Sequence, residues 1–197
     1  MKKMLILLTL FSFWLGAAEA PGGDHFTLKT INGKELHVTE LDNGLAVKEY
    51  QGKVVFIEFW GTHCPPCLFS IPHYIDLQAK YKDKLAIIAI EVQTAASEDV
   101  LKQFAQAKGI NYDIITYEEG RAFTNYIGMR TGWRGSIPFL IILDQKGNFI
   151  TSQVGMVPPE ALENLIMQLE ARAASQNASS NASKAPTESK SPAPAAR

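Results

Sequence analysis

Two apolar runs, Val54-Val-Phe-Ile-Glu-Phe-Trp60 and Leu85-Ala-Ile-Ile-Ala-Ile-Glu-Val92, have the near-continuous hydrophobic content of strands buried on both faces. Parallel pairing of the two follows from that pattern. Between them, Pro65 opens a helix that reaches about Lys82, since proline at the first helical position gives up an N–H that has no partner there anyway. Ser97-Glu98-Asp99 supplies a capped start for a second helix, Val100 to Lys108. Phe26 to Val38 reads as a hairpin turning at Asn32-Gly33, residues that tolerate positive φ. Phe139 to Leu143, the turn Asp144-Gln-Lys-Gly147 and Phe149 to Val154 read as an antiparallel hairpin. A closing amphipathic helix runs from Pro159 to Arg172, with Leu162, Leu165, Ile166 and Leu169 at core spacing. Strands alternating with helices predict an α/β domain on a mixed sheet.

The two ends differ from this middle. Lys2 and Lys3, the apolar segment Met4 to Leu15 and the small residues through Ala20 form a secretory signal pattern over residues 1–20. The apolar stretch is too short to span a bilayer, so the expected location is the periplasm, with a weak inner-membrane tether if the segment stays uncleaved. From Ala173 to Arg197 the chain has no Val, Ile, Leu, Met, Phe, Tyr or Trp, which predicts a disordered tail over residues 173–197. Residues 21–172 are then one domain of ordinary size. A net charge of −1 leaves no electrostatic footprint for nucleic acid. Arg121, Arg130 and Arg134 read as solvated positions spread over a polar loop.

Trp60-Gly-Thr-His-Cys64-Pro-Pro-Cys67 contains both cysteines of the chain, three apart, where a buried strand passes into a helix. A thiol at the helix start meets the positive end of the macrodipole, which favours the thiolate that attacks disulfides. Cys64 is therefore the candidate nucleophile and Cys67 the resolving thiol of a redox-active disulfide. A zinc site usually needs four ligands, and beyond the two cysteines only His25, His37, His63 and His73 remain, none in a second paired motif. A purely structural disulfide across so short a loop gains little chain entropy. Glu58 stands out next, because a carboxylate inside an apolar strand must be hydrated, paired or used.

Three segments in this order, DHFTLKTINGKEL, GKVVFIEFWGTHCPPC and SIPFLIILDQKGNFITSQVG, resemble the thioredoxin superfamily, and more narrowly its TlpA/ResA/CcmG-type exported members. The resemblance covers residues 24–172. It implies a thioredoxin fold, a central mixed sheet flanked by helices, with an N-terminal β-hairpin extension. It also implies a thiol-disulfide oxidoreductase that needs no cofactor and no metal. Glu58 would be the general base that takes the proton of Cys67. Pro138 would be a cis-proline beside the dithiol, with Ile137 offering its backbone and an apolar contact to extended polypeptide. Pro72 would shape the active-site helix, Trp60 would shield the dithiol at the substrate site, and His63 would stand where relatives carry an aromatic residue. Trp133 reads as a recognition tip or as an aromatic folded back on the domain.

Pro65 and Pro66 remove two N–H donors that could have held the Cys64 thiolate, which favours a reductase over an oxidase. The resemblance implies electrons from a membrane thiol-disulfide donor, passed to exported proteins such as apocytochrome c. An oxidase or isomerase of secreted proteins, and a copper-binding chaperone using Cys64, Cys67 and His63 or His73, are the alternatives.

Overall fold

The computed structural model describes residues 25–182. The predicted signal segment, residues 1–20, and residues 183–197 of the predicted tail lie outside the described residues.

Five strands form the central sheet in the order β6-β5-β4-β7-β8. They are β4 (Val54–Trp60), β5 (Leu85–Glu91), β6 (Asp113–Ile115), β7 (Phe139–Leu143) and β8 (Phe149–Val154). β4 and β5 pair in parallel from Val54 opposite Leu85 to Trp60 opposite Glu91, and β6 continues the parallel set. β7 runs antiparallel to β4, and β8 antiparallel to β7. Every residue of β4, β5 and β7 is buried, as apolar runs without alternation require.

The alternation of side chains along β4 divides the core in two. Val54, Phe56 and Trp60 face a layer made by α1 (Pro65–Lys80), α2 (Glu98–Lys108) and α4 (Pro159–Ala182), through Ile71, Tyr74, Leu77, Leu101, Leu162, Ile166 and Leu169. Val55, Ile57 and Phe59 face the other layer, where α3 (Tyr117–Thr131) packs through Phe123, Tyr126 and Ile127. A second sheet shares that side: β1 (His25–Lys29), β2 (Glu35–Leu41) and β3 (Gly44–Val47), antiparallel throughout. The predicted hairpin is thus present and gains a third strand. Gly33 sits at φ +80° in its turn, and β3 joins the main domain through the Leu45 N–H to the Gly147 carbonyl at 2.8 Å.

α3 corrects one expectation. Its N-cap Thr116 accepts from the Glu119 N–H, and Gly132 closes it at φ +72°. Arg121 and Arg130 therefore lie on a helix, with Arg121 beside Glu118 and Arg130 paired to Glu40, and only Arg134 falls in the loop that follows. Gly120 hid this helix from the sequence pattern. A Cβ there would stand 2.4 Å from Ile90 Cγ2, so the glycine lets α3 press against β5.

α4 corrects another. The helix continues through Ala173 to Ala182, ten residues beyond Arg172, so this part of the predicted tail is not disordered. Residues 173–182 have almost nothing to bury, yet their alanines are strong helix formers and no proline intervenes before Pro186. Two contacts support the extension: Lys146 Nζ donates to Gln176 Oε1 and Ser175 Oγ to the Ala171 carbonyl. Among the described residues, no helix is long and apolar enough to cross a membrane.

Candidate active site

β4 ends at Trp60, and a tight turn, in which the Cys64 N–H donates to the Gly61 carbonyl at 3.3 Å, delivers Cys64 to the N-cap of α1. Pro65 and Pro66 occupy the first helical positions, where no N–H partner is required. Of the first-turn amides, that of Cys67 is the one that reaches sulfur, donating to Cys64 Sγ at 3.3 Å. Cys64 and Cys67 form a disulfide with Cα atoms 5.2 Å apart. Cys64 is 4% exposed and Cys67 1%, so the first cysteine is the less buried of the two.

Within β4, six residues before Cys64, lies Glu58, 2% exposed. It shares the sheet face of Phe56 and Trp60, the face covered by α1, and stands between Ala89 of β5 and Leu140 of β7. The small side chain of Ala89 leaves room for the carboxyl group. Burial lifts the acid from its ordinary 4.5 to about 8, and Oε1 has no hydrogen-bond partner. Of the three options for this carboxylate, hydration at a sheet edge is removed, since β4 is the central strand. Tyr74 and Tyr112, edge to face at 6.3 Å in the same layer, have their phenols pushed up by burial and by the nearby Glu58.

The Ile137–Pro138 peptide is cis. Ile137 is half-buried where the two core layers meet, and Pro138 is buried, its carbonyl accepting from the Gly155 N–H. Trp133 is folded back rather than presented as a tip. Its ring stacks on Phe139 at 5.0 Å and tilts against Phe59 at 4.9 Å, while Nε1 donates to the Ser136 carbonyl at 2.7 Å. The indole thus anchors the loop that leads into the cis-proline.

Trp60 packs in the layer of the dithiol that it was expected to shield, but the expected substrate contact requires a correction. At 2% exposed and packed on Phe104 at 5.5 Å, it lies in the core with both cysteines and offers no surface to a substrate. Its place at the end of a strand buried on both faces dictates this. His63 is exposed, its N–H donating to Gln93 Oε1 at 2.9 Å. Pro72 is inside α1, on its exposed face, and supplies no N–H to the Leu68 carbonyl. Among the described residues, no three of His, Cys, Asp and Glu converge as metal ligands.

Sequence reasoning passed over Glu91, which is 0% exposed and ends β5 as Glu58 interrupts β4. The same rule of a carboxylate in an apolar strand applied to both.

The Redoxin family profile matches residues 24–166. The chain belongs to the Redoxin family. It is 28% identical over 171 residues to the thioredoxin-like protein YneN of Bacillus subtilis, covering 81% of this chain and 91% of that one. To the thiol-disulfide oxidoreductase ResA of Halalkalibacterium halodurans it is 25% identical over 142 residues, 72% of each chain. A thiol:disulfide interchange protein of the thioredoxin family from Chlorobium tepidum superposes with a TM-score of 0.58 at 23% identity, covering 78% of this chain and 99% of that one. StoA from Bacillus subtilis superposes at 0.53 and 21%, covering 72% and 95%. These structural likenesses establish the thioredoxin fold.

Proposed function

We propose that this thiol-disulfide oxidoreductase works in the periplasm as a reductase of disulfides in exported proteins, apocytochrome c among them, and is recharged by a membrane thiol-disulfide donor. The curated relatives bear the name thiol-disulfide oxidoreductase. The signal pattern at residues 1–20 supports export. The observation that carries the mechanism is the buried Glu58, raised to about 8 in the layer that holds Cys67.

In the reduced enzyme the Cys64 thiolate attacks one sulfur of a substrate disulfide, forming a mixed disulfide and releasing the first substrate thiolate. The Glu58 carboxylate takes the proton of Cys67, whose thiolate then attacks Cys64 Sγ and expels the second substrate thiolate. Two electrons leave the dithiol and reduce the substrate. An acid near 8 serves this role because it is close to a thiol in proton affinity and so exchanges a proton with it at little cost. Ile137 and the cis-Pro138 would line the substrate strand, with His63 at the exposed rim.

The direction rests on the two prolines, which leave the Cys67 amide as the first-turn donor to Cys64 Sγ. Equilibration with glutathione measures the reduction potential directly. A value at or below about −200 mV is expected, whereas one near about −120 mV would make the protein a disulfide-forming oxidant.

A further inference from the structure

Directly after β5 the chain makes a turn that grips the loop carrying the first cysteine. Glu91 Oε1 accepts from the Gln93 N–H at 3.1 Å, the Thr94 N–H at 2.7 Å and the Thr94 hydroxyl at 2.8 Å. Two contacts cross from this turn to the residues before Cys64. Gln93 Oε1 accepts the His63 N–H at 2.9 Å, and Thr94 Oγ1 lies 3.3 Å from Thr62 Oγ1. Gly61 makes the approach possible, since a Cβ there would stand 2.3 Å from Gln93 Oε1. A last contact, Thr62 Oγ1 to His63 Nδ1 at 3.1 Å, completes a chain from the buried carboxylate to the imidazole.

The number of protons sets the direction of that chain. A hydroxyl has one hydrogen to donate. Thr94 gives its hydrogen to Glu91 Oε1, which already receives two backbone N–H groups and is an acceptor. Thr62 must therefore donate to Thr94 Oγ1, and its own hydrogen is then spent. The proton between Thr62 and His63 can come only from the ring, as Nδ1–H.

We infer that Glu91, Thr94 and Thr62 hold neutral His63 as its Nδ1–H tautomer, leaving the Nε2 lone pair, on the exposed residue that precedes Cys64, free to act as the base for an incoming partner thiol. The base role rests on the thiol-disulfide exchange proposed above; the tautomer does not. When a partner thiol recharges the oxidised protein, its S–H proton passes to Nε2 and its sulfur bonds to Cys64 Sγ. The Cys64–Cys67 bond breaks, and its electron pair leaves on Cys67, which takes the proton held by Glu58. The partner thiol is oxidised to the mixed disulfide as the internal disulfide is reduced. In this step His63 would take the proton of the reacting thiol directly, whereas Glu91, Thr94 and Thr62 are positioning residues.

The test begins with nitrogen NMR of the oxidised full chain labelled in histidine, at about pH 8, where an ordinary imidazole is neutral. His63, assigned by its loss in His63→Phe, is expected to show a protonated Nδ1 and a bare Nε2. Thr94→Val frees the Thr62 hydroxyl to donate to Nδ1 and is expected to shift the population toward Nε2–H, while Thr94→Ser retains the starting tautomer. An Nε2–H tautomer in the unsubstituted protein, or no change in Thr94→Val, overturns the assignment.

Kinetics test the base. With a cysteine-containing peptide as reductant, His63→Phe should slow the first exchange by about tenfold or more near pH 7. The deficit should close near pH 9.5, where a peptide thiol of pKa about 8.5 is already thiolate. A deficit equal at both pH values would make His63 structural and overturn the base role. No exchange by the unsubstituted protein would sink the proposed function and the base role together, with the NMR result still deciding the tautomer.

Discussion

Glu58→Gln preserves the shape of a buried side chain and deletes its titration, which makes it the sharpest probe of the site. Burial raises Glu58 from 4.5 to about 8, so the folded protein keeps a proton that the unfolded chain gives up above about pH 4.5. The stability associated with this group is complete below that value, declines as pH rises, and levels off above about 8. At about 1.36 kcal/mol per pH unit, the interval sets an upper limit of about 5 kcal/mol. Glutamine does not titrate, so the stability difference, native minus variant, should fall by about 2–5 kcal/mol between about pH 5 and pH 9. Urea unfolding of both proteins with the disulfide intact measures it, because other titrating groups are common to the pair and cancel in the difference. Parallel stability profiles across this range would refute the burial argument for Glu58. The same variant should resolve a mixed disulfide more slowly, since Cys67 loses its proton acceptor, and an unchanged rate would remove Glu58 from the mechanism.

Cys67→Ser should stall exchange after the first step and accumulate a covalent complex through Cys64, detectable as a species that thiol reductants dissolve; failure to trap any exported protein would count against the reductase reading. Gly147→Ala should cost about 2–4 kcal/mol, because φ is +83° and a Cβ would lie 2.4 Å from the Leu45 carbonyl where β3 docks. Gly33→Ala, at φ +80° with nothing within 4 Å of the new Cβ, should cost only about 1–2 kcal/mol. Equal costs by denaturant titration would mean that the close approach at Gly147 relaxes freely.

The elements that were legible in advance are those whose burial or capping is written locally. β4, β5 and β7 are continuous apolar runs, α2 begins at a capping serine, and α1 starts on prolines that forfeit nothing there. The two cysteines and Glu58 were visible for the same reason, as polar or reactive groups set against an apolar strand. α3 was not, because Gly120 and Gly128 look like loop residues until Ile90 and the Trp133 carbonyl are seen pressed against them. The helix over residues 173–182 was missed by a rule about buried area that ignores how well alanine forms helix unaided.

The two tryptophans among the described residues mark the boundary most clearly. Trp60, at the end of an apolar strand, enters the core cluster that holds both cysteines, as its sequence neighbours dictate, whereas Trp133, in a polar glycine-flanked loop, stacks on Phe139 and holds the cis-proline loop, which no local pattern foretells. Strand periodicity and composition along this chain determine which segments are buried and where a dithiol begins a helix, because those are properties of neighbours in sequence. The parallel register that sets Trp60 opposite Glu91 decided the rest. It brings Gln93 and Thr94 against Thr62 and His63, across about thirty residues of intervening chain, and the directed hydrogen bonds there depend on distances that no local pattern encodes.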